Sequence, residues 1–233
     1  LFITQRINEV DDDLAFVIGW IDELRRQGAA VSVICLQKEK FDGHFPVYSL
    51  GKESGVGLFG RILRFYKYIF SLKYDRVFIH MNPEYATLGG WFWALMSRPT
   101  YLWYTHYTMH IHLWFAHLFC KRLFAATPQS MPMYATDPKR VILGHGVDTA
   151  YWLSAPNLRD DEKTSFELVS VHRLCRSKRL EIVIQALSIL PSQYTLTVYG
   201  RDVEKDYAQE MYNLVEKLGL QNRIRFMGGV SMD

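Results

Sequence analysis

The sequence predicts an α/β protein built as two Rossmann-like domains, the second incomplete. Short runs rich in β-branched and aromatic residues alternate with amphipathic stretches along most of the 233 residues. A polar, Pro-containing stretch without periodicity, LSAPNLRDDEKTS, interrupts the alternation. The alternation then restarts and runs to Asp233 just after another strand. These observations divide the chain into a first Rossmann-like domain over 1–152, a linker over 153–165 and the front part of a second Rossmann-like domain over 166–233.

The elements follow in order. LFITQ is a short apolar strand. Asp11, Asp12 and Asp13 offer N-cap and first-turn acids to the helix LAFVIGWIDELRRQG, whose basic last turn and Gly28 stop it. AVSVICL is a buried strand and PVYSL a weaker one. LFGRILRFYKYIFSLK is an amphipathic helix. DRVFIHM, TYLWYTH, RLFAAT and RVILG are strands, with the helices TLGGWFWALMS and IHLWFAHLFCK between the first three. After the linker come FELVSV, a helix from Lys178, YTLTVYG, the helix KDYAQEMYNLVEKLG and RIRFMG. Strand–helix alternation of this kind builds right-handed βαβ units and a parallel sheet with helices on its faces. Ligands of such sheets bind beyond the carboxyl ends of the strands, and with two halves the cleft between them is the default site.

Composition narrows the function classes. Hydrophobic residues are 49% and charged residues 22%, a globular balance that argues against disorder. A net charge of +3 is too small to point to nucleic acid and suits anionic small ligands or an acidic membrane surface. Cys35, Cys120 and Cys175 are scattered, so neither a zinc site nor a disulfide framework is expected and the chain reads as reduced and cytosolic. The longest apolar run, LGGWFWALMS, stops at Arg98-Pro99, short of a membrane span. The chain starts in a strand without an initiator Met, which suggests a fragment.

GVGLFG, at Gly55 to Gly60, matches the dinucleotide pattern G-x-G-x-x-G. The pattern needs a strong preceding strand and an acid that ends the next one. Here the preceding strand is weak, and Asp75 begins its strand, at the opposite edge of the sheet. A flexible loop with glycines leading into a helix is the simpler reading, and a NAD-type oxidoreductase is the alternative it leaves.

The segment VHRLCRSKRLEIVIQAL raises a sharper question. It places Arg173, Arg176, Lys178 and Arg179, with no acid among them, between a strand and a helix. A helix N-terminus already carries positive charge, so cations there are unfavourable unless an anion arrives. Arg173 offers a planar fork to phosphate oxygens and Lys178 a point charge, so the two could hold a diphosphate; a solvated basic turn is the alternative.

HRLCRSKRLEIVIQAL resembles the donor-phosphate segment of family 4 glycosyltransferases of the GT-B fold, in which Gly-Arg-Leu, three residues and Lys-Gly precede a helix with Leu-Ile-x-Ala. Arg173, Leu174, Lys178 and Ala186 fall in step, while His172 and Arg179 replace the two glycines. GHGVDTAYW at 144–152 is similar to the family's Asn-Gly-Val-Asp stretch, with His145 in the Asn place. YTLTVYGRDVEKDY, GLQNRIRFMGGVS and WIDELRRQGAAVSVICL resemble further segments of it, in order along nearly the whole chain. The resemblance implies a GT-B fold, a nucleotide-diphosphate sugar as donor, no cofactor and no metal. It implies donor and catalytic roles for Arg173 and Lys178, and donor contact near Gly200. It also implies that a pair of glutamates with seven residues between them lies beyond Asp233, so that this stretch alone would not turn over.

On the acceptor side, His80, Asn82 and Glu84 follow one strand and His106 follows the next; the family often has a His there that reaches the transferred sugar or acceptor, and for each His a satisfied histidine under the aromatic-rich surface is the alternative. His106 is accordingly a catalytic candidate. Many relatives carry a Gly pair after the first strand, where this chain has QRINEVDDD, so Asp12 or Asp13 could touch a sugar hydroxyl instead, against simple helix capping. His110, His112 and His117 read as structural, with no third ligand for a metal. Arg61, Arg64 and Lys67 share one side of their helix and could meet anionic lipid headgroups, which suits a lipid-linked acceptor; a packed helix with a solvated basic face is the alternative. The expectation is a retaining transferase, cytoplasmic, with the inner face of the membrane as a candidate location, moving a sugar to a glycan or lipid-linked acceptor, without nucleic acid. A non-catalytic sugar- or lipid-binding module of the same fold is the second alternative.

Overall fold

A computed structural model describes residues 1–11, 13–147, 149 and 166–229. The chain forms two compact units, Leu1–Asp148 and Thr149–Asp233. The 153–165 stretch expected as a linker lies outside the described residues.

The first unit holds seven strands: β1 (Phe2–Ile7), β2 (Val33–Lys38), β3 (Val47–Ser49), β4 (Val77–His80), β5 (Thr100–Trp103), β6 (Arg122–Ala125) and β7 (Arg140–Ile142). They form one sheet in the order β3-β2-β1-β4-β5-β6-β7, with every pair parallel. Side chains alternate across a strand, and here both faces are buried. Ile3, Ile34, Ile79 and Leu102 enter a core with Phe65, Ile69, Trp93 and Leu113 from three helices: α2 (Leu58–Ser71), α3 (Glu84–Leu95) and α4 (Ile111–Phe119). Phe2, Ile7, Val33 and Cys35 enter a second core with Val17 and Ile21 of α1 (Phe16–Arg26). Two buried faces explain why the strands read as continuous apolar runs. Within α3, a Cβ on Gly90 would sit 2.5 Å from the Phe119 ring, so glycine there lets α4 close onto α3.

The second unit has three parallel strands, β8 (Phe166–Val171), β9 (Tyr194–Tyr199) and β10 (Ile224–Gly228), in the order β10-β9-β8. The helices α5 (Leu180–Ile189) and α6 (Lys205–Lys217) connect them. Both connections step in the same direction, so right-handedness puts both helices on one face. Leu180, Ile184 and Leu187 of α5 meet Tyr207, Met211 and Val215 of α6 over Leu196, Val198 and Ile224.

Three boundaries move. The first helix starts at Phe16, with no side-chain cap and no acid in its first turn. Asp11 is instead drawn upstream: it pairs with Arg6 and accepts the N–H groups of Asp13 (2.9 Å) and Leu14 (2.8 Å). The helix expected from Thr87 starts at Glu84, directly after Pro83, whose fixed φ suits a helix start. The helix expected from Lys178 starts at Leu180, after a short 3-10 turn over Arg176–Lys178. Among the described residues no helix is long and apolar enough to cross a membrane.

Candidate functional site

The basic turn grows out of β8. The ladder continues past Val171, because His172 donates its N–H to the Tyr199 carbonyl (2.9 Å) and Leu174 donates to that of Arg201 (2.9 Å). Leu174 is buried, which leaves Arg173 before it exposed. The His172 ring is braced at both nitrogens. A carbonyl can only accept, so Nδ1 donates to Arg173 O (3.0 Å) and Nε2 accepts from the Ser170 hydroxyl (2.9 Å). The residue standing where the resembling family has glycine therefore holds the strand end in place.

Beyond it the chain folds over Cys175, and Arg179 adopts a left-handed conformation (φ 56°) as it enters α5. The Tyr207 hydroxyl accepts the N–H of Leu180 (2.8 Å) and donates to Glu181. Glu181 also takes Arg179 Nε (2.6 Å), and Glu210 takes Arg176 (2.5 Å). The hydrogen bonds from Tyr207 and Arg179 help hold the Glu181 carboxyl below its ordinary range. Two of the four cations are thus neutralised by acids of α5 and α6, a pairing that spacing in sequence did not reveal. Lys178 is exposed, and its ammonium has no partner among the described residues. Gly200 lies behind the turn: a Cβ there would stand 1.8 Å from the His172 carbonyl oxygen.

In the first unit the expected residues fall into separate settings. His106 is exposed; its carbonyl accepts the Met131 N–H (2.9 Å), and its ring stands edge-on to Tyr104 at 5.3 Å. Asn82 and Glu84 share the wall of a pocket of about 260 Å³ between the first turns of α2 and α3. Asp13 is exposed, and Asp12 lies outside the described residues. Burial would raise the pKa of Asp11, but its bonds to Arg6 and to two backbone N–H groups outweigh that and hold it low.

His80 is enclosed, at 1% exposure. Trp103 stacks on it at 5.2 Å, and Phe16 and Trp20 cover it edge-on. Nδ1 meets the Thr4 hydroxyl at 3.2 Å, and Nε2 has no partner among the described residues. In this arrangement the ring presents no face to solvent, as the alternative of a satisfied histidine under aromatic residues has it. Burial, aided by the nearby His145, lowers its pKa from 6.5 to about 4. The unfolded chain therefore takes up this proton at higher pH than the folded one. Stability from this group is present above pH 6.5 and is lost as pH falls toward 4, by up to about 3 kcal/mol. Urea midpoints measured across that range should fall for the native protein and flatten in His80→Phe; parallel curves would refute the assignment.

His110, His112 and His117 have local partners: Tyr104 (2.9 Å), Thr87 (3.0 Å) and Asp137 (2.6 Å). Among the described residues no group of three His, Cys, Asp or Glu side chains could hold a metal ion. The outer face of α2 is mixed rather than only basic. Arg64 and Lys67 are exposed there, and so are Phe59, Leu63 and Phe70.

Comparison with known proteins bears on both units. HepE of Anabaena, solved with UDP and glucose, is 18% identical, with a TM-score of 0.69 over 99% of this chain and 70% of that one. WaaG, a glycosyltransferase involved in lipopolysaccharide biosynthesis, is 17% identical (TM-score 0.63; 99% and 70% covered). The catalytic domain of starch synthase IV from Arabidopsis thaliana, solved with ADP and acarbose, is 12% identical (TM-score 0.70; 98% and 73% covered). No curated protein sequence matches the chain. Residues 156–233, which carry the basic turn, match the family model for glycosyl transferases group 1, and the fold is that of the GT-B glycosyltransferases.

Proposed function

We propose that the protein is a retaining glycosyltransferase of the family 4 type, which moves a sugar from a nucleotide-diphosphate donor to a glycan or lipid-linked acceptor. The observation that carries this is the Arg173–Lys178 turn. It lies within the segment matched by the group 1 family model, at the carboxyl end of β8, with the Lys178 ammonium exposed and without a partner among the described residues. The anomeric carbon–oxygen bond to the diphosphate breaks, the acceptor oxygen bonds to that carbon and loses its proton, and the nucleoside diphosphate departs. Negative charge grows on the leaving diphosphate, and cations aimed at it lower the barrier because they act most strongly in the transition state. Lys178 and Arg173 supply those cations, and Gly200 lets the second strand approach the turn. His106, Asn82, Glu84 and Asp13 serve the acceptor side, with His80 supporting them from within the fold. The mixed aromatic and basic face of α2 suits peripheral contact with anionic lipid at the cytoplasmic face of a membrane.

Titration of the protein with UDP, ADP and NAD tests the reading. Tighter binding of the nucleoside diphosphates, weakened about tenfold or more by Lys178→Ala, is the expected result. Selective binding of NAD would favour the oxidoreductase reading instead. Nucleoside diphosphate affinity untouched by Arg173→Ala and Lys178→Ala together would overturn the donor site.

A further inference from the structure

The GVGLFG turn and the pocket beside it form one arrangement. Gly57 caps α2 without a side-chain hydrogen bond, and no acid stands in the helix's first turn. Arg61 follows one residue after the motif, where a cation has the wrong sign for the helix dipole. Its Nε is enclosed with no hydrogen-bond partner among the described residues, and so is Oδ1 of Asn82. Both residues line the pocket of about 260 Å³, whose remaining wall is largely apolar: Leu50, Leu58, Ile62, Phe65 and Leu88. A buried guanidinium N–H without an acceptor and an amide oxygen without a donor are costly to leave unmade. One asks for an anion and the other for a hydroxyl. Glu84, exposed at the rim, would also accept from a hydroxyl.

We propose that this pocket binds an anionic amphiphile, with a short apolar group among the leucines and a phosphate-type head at Arg61 and the start of α2. At roughly 30 Å³ for each water-sized group, the volume holds about nine such groups. That is a ring or a chain of about eight carbons, not a long polyprenyl tail. The role of this molecule as the sugar acceptor rests on the transferase reading; its binding does not.

Calorimetric titration of the protein with butyl to dodecyl phosphates, below their micellar range, tests the site. Octyl glucoside serves as the uncharged tail. Affinity should rise roughly three- to fourfold per methylene, then level off near eight carbons. Leu58→Asp, at a 68% exposed position that folding tolerates, should abolish the dependence on chain length. Arg61→Gln should weaken octyl phosphate about tenfold or more and leave octyl glucoside unchanged. Affinity that ignores chain length, or climbs steadily to dodecyl as bilayer-like partitioning would, overturns the site, as does indifference to Arg61→Gln. UDP titrated into the same samples separates the two readings. Binding of UDP without the alkyl phosphates removes only the amphiphile site, and the reverse removes only the donor site.

Discussion

In the full-length enzyme, Lys178→Ala and Arg173→Ala are each expected to lower sugar transfer by about a hundred- to thousandfold in kcat, the usual cost of removing one preorganised charge from a transition state. The case is strongest for Lys178. Arg176 and Arg179 have Glu210 and Glu181 within hydrogen-bond distance, whereas the Lys178 ammonium has no partner among the described residues. A positive side chain held beside the positive end of α5 lowers stability slightly unless an anion comes to it. Lys178→Ala should therefore leave the urea midpoint unchanged or raise it a little while turnover collapses. Arg176→Ala is the internal control. It breaks an exposed ion pair, worth little in stability, and should cost far less turnover. Assays with nucleotide sugars at saturating donor separate loss of binding from loss of chemistry. Equal, mild effects at positions 176 and 178 would mean that the turn is a solvated basic surface.

The sequence and the structure agree where a single local rule decides the outcome. β8 and β9 fall on FELVSV and YTLTVY because β-branched and aromatic residues alternate there between turn residues. α2 falls on Leu58–Ser71 because its apolar residues recur at helical spacing. The differences arise where a side chain has a distant competitor. Asp11 reads as a helix cap until Arg6, five residues earlier on β1, takes it. Arg176 and Arg179 read as unpaired because their acids are on a later helix or turned toward them only by the left-handed residue at 179. His80 reads either as a ligand at a strand end or as a satisfied histidine, because nothing local says that Phe16, Trp20 and Trp103 converge on it. The pocket beside α2 is invisible in sequence for the same reason: Leu50, Arg61, Asn82 and Leu88 come from four different segments. Its one local signal was GVGLFG followed by Arg61, a glycine turn that opens an uncapped helix beside a cation.

Gly200→Ala is expected to be the most damaging small substitution in the second unit. The added Cβ would lie 1.8 Å from the His172 carbonyl oxygen and 2.7 Å from its carbon, both backbone atoms that no rotamer change can move. Neither side can yield cheaply. Gly200 is tied by its N–H to the Gly228 carbonyl (2.8 Å), and His172 is tied to Tyr199 (2.9 Å) and braced by Ser170. Relief requires β8 and β9 to part at their carboxyl ends, a forced overpacking that costs about 1–3 kcal/mol or more. The displaced atoms belong to the residue before Arg173, so the donor turn moves with them, and a shift of about 1 Å in a positioning element can cost about a hundredfold in rate. Two readouts should therefore fall together in Gly200→Ala, the thermal midpoint and nucleoside diphosphate affinity, whereas Lys178→Ala should lower the second alone. Retained stability and retained binding in Gly200→Ala would show that the strand ends separate without strain, and that the turn does not depend on this contact for its position.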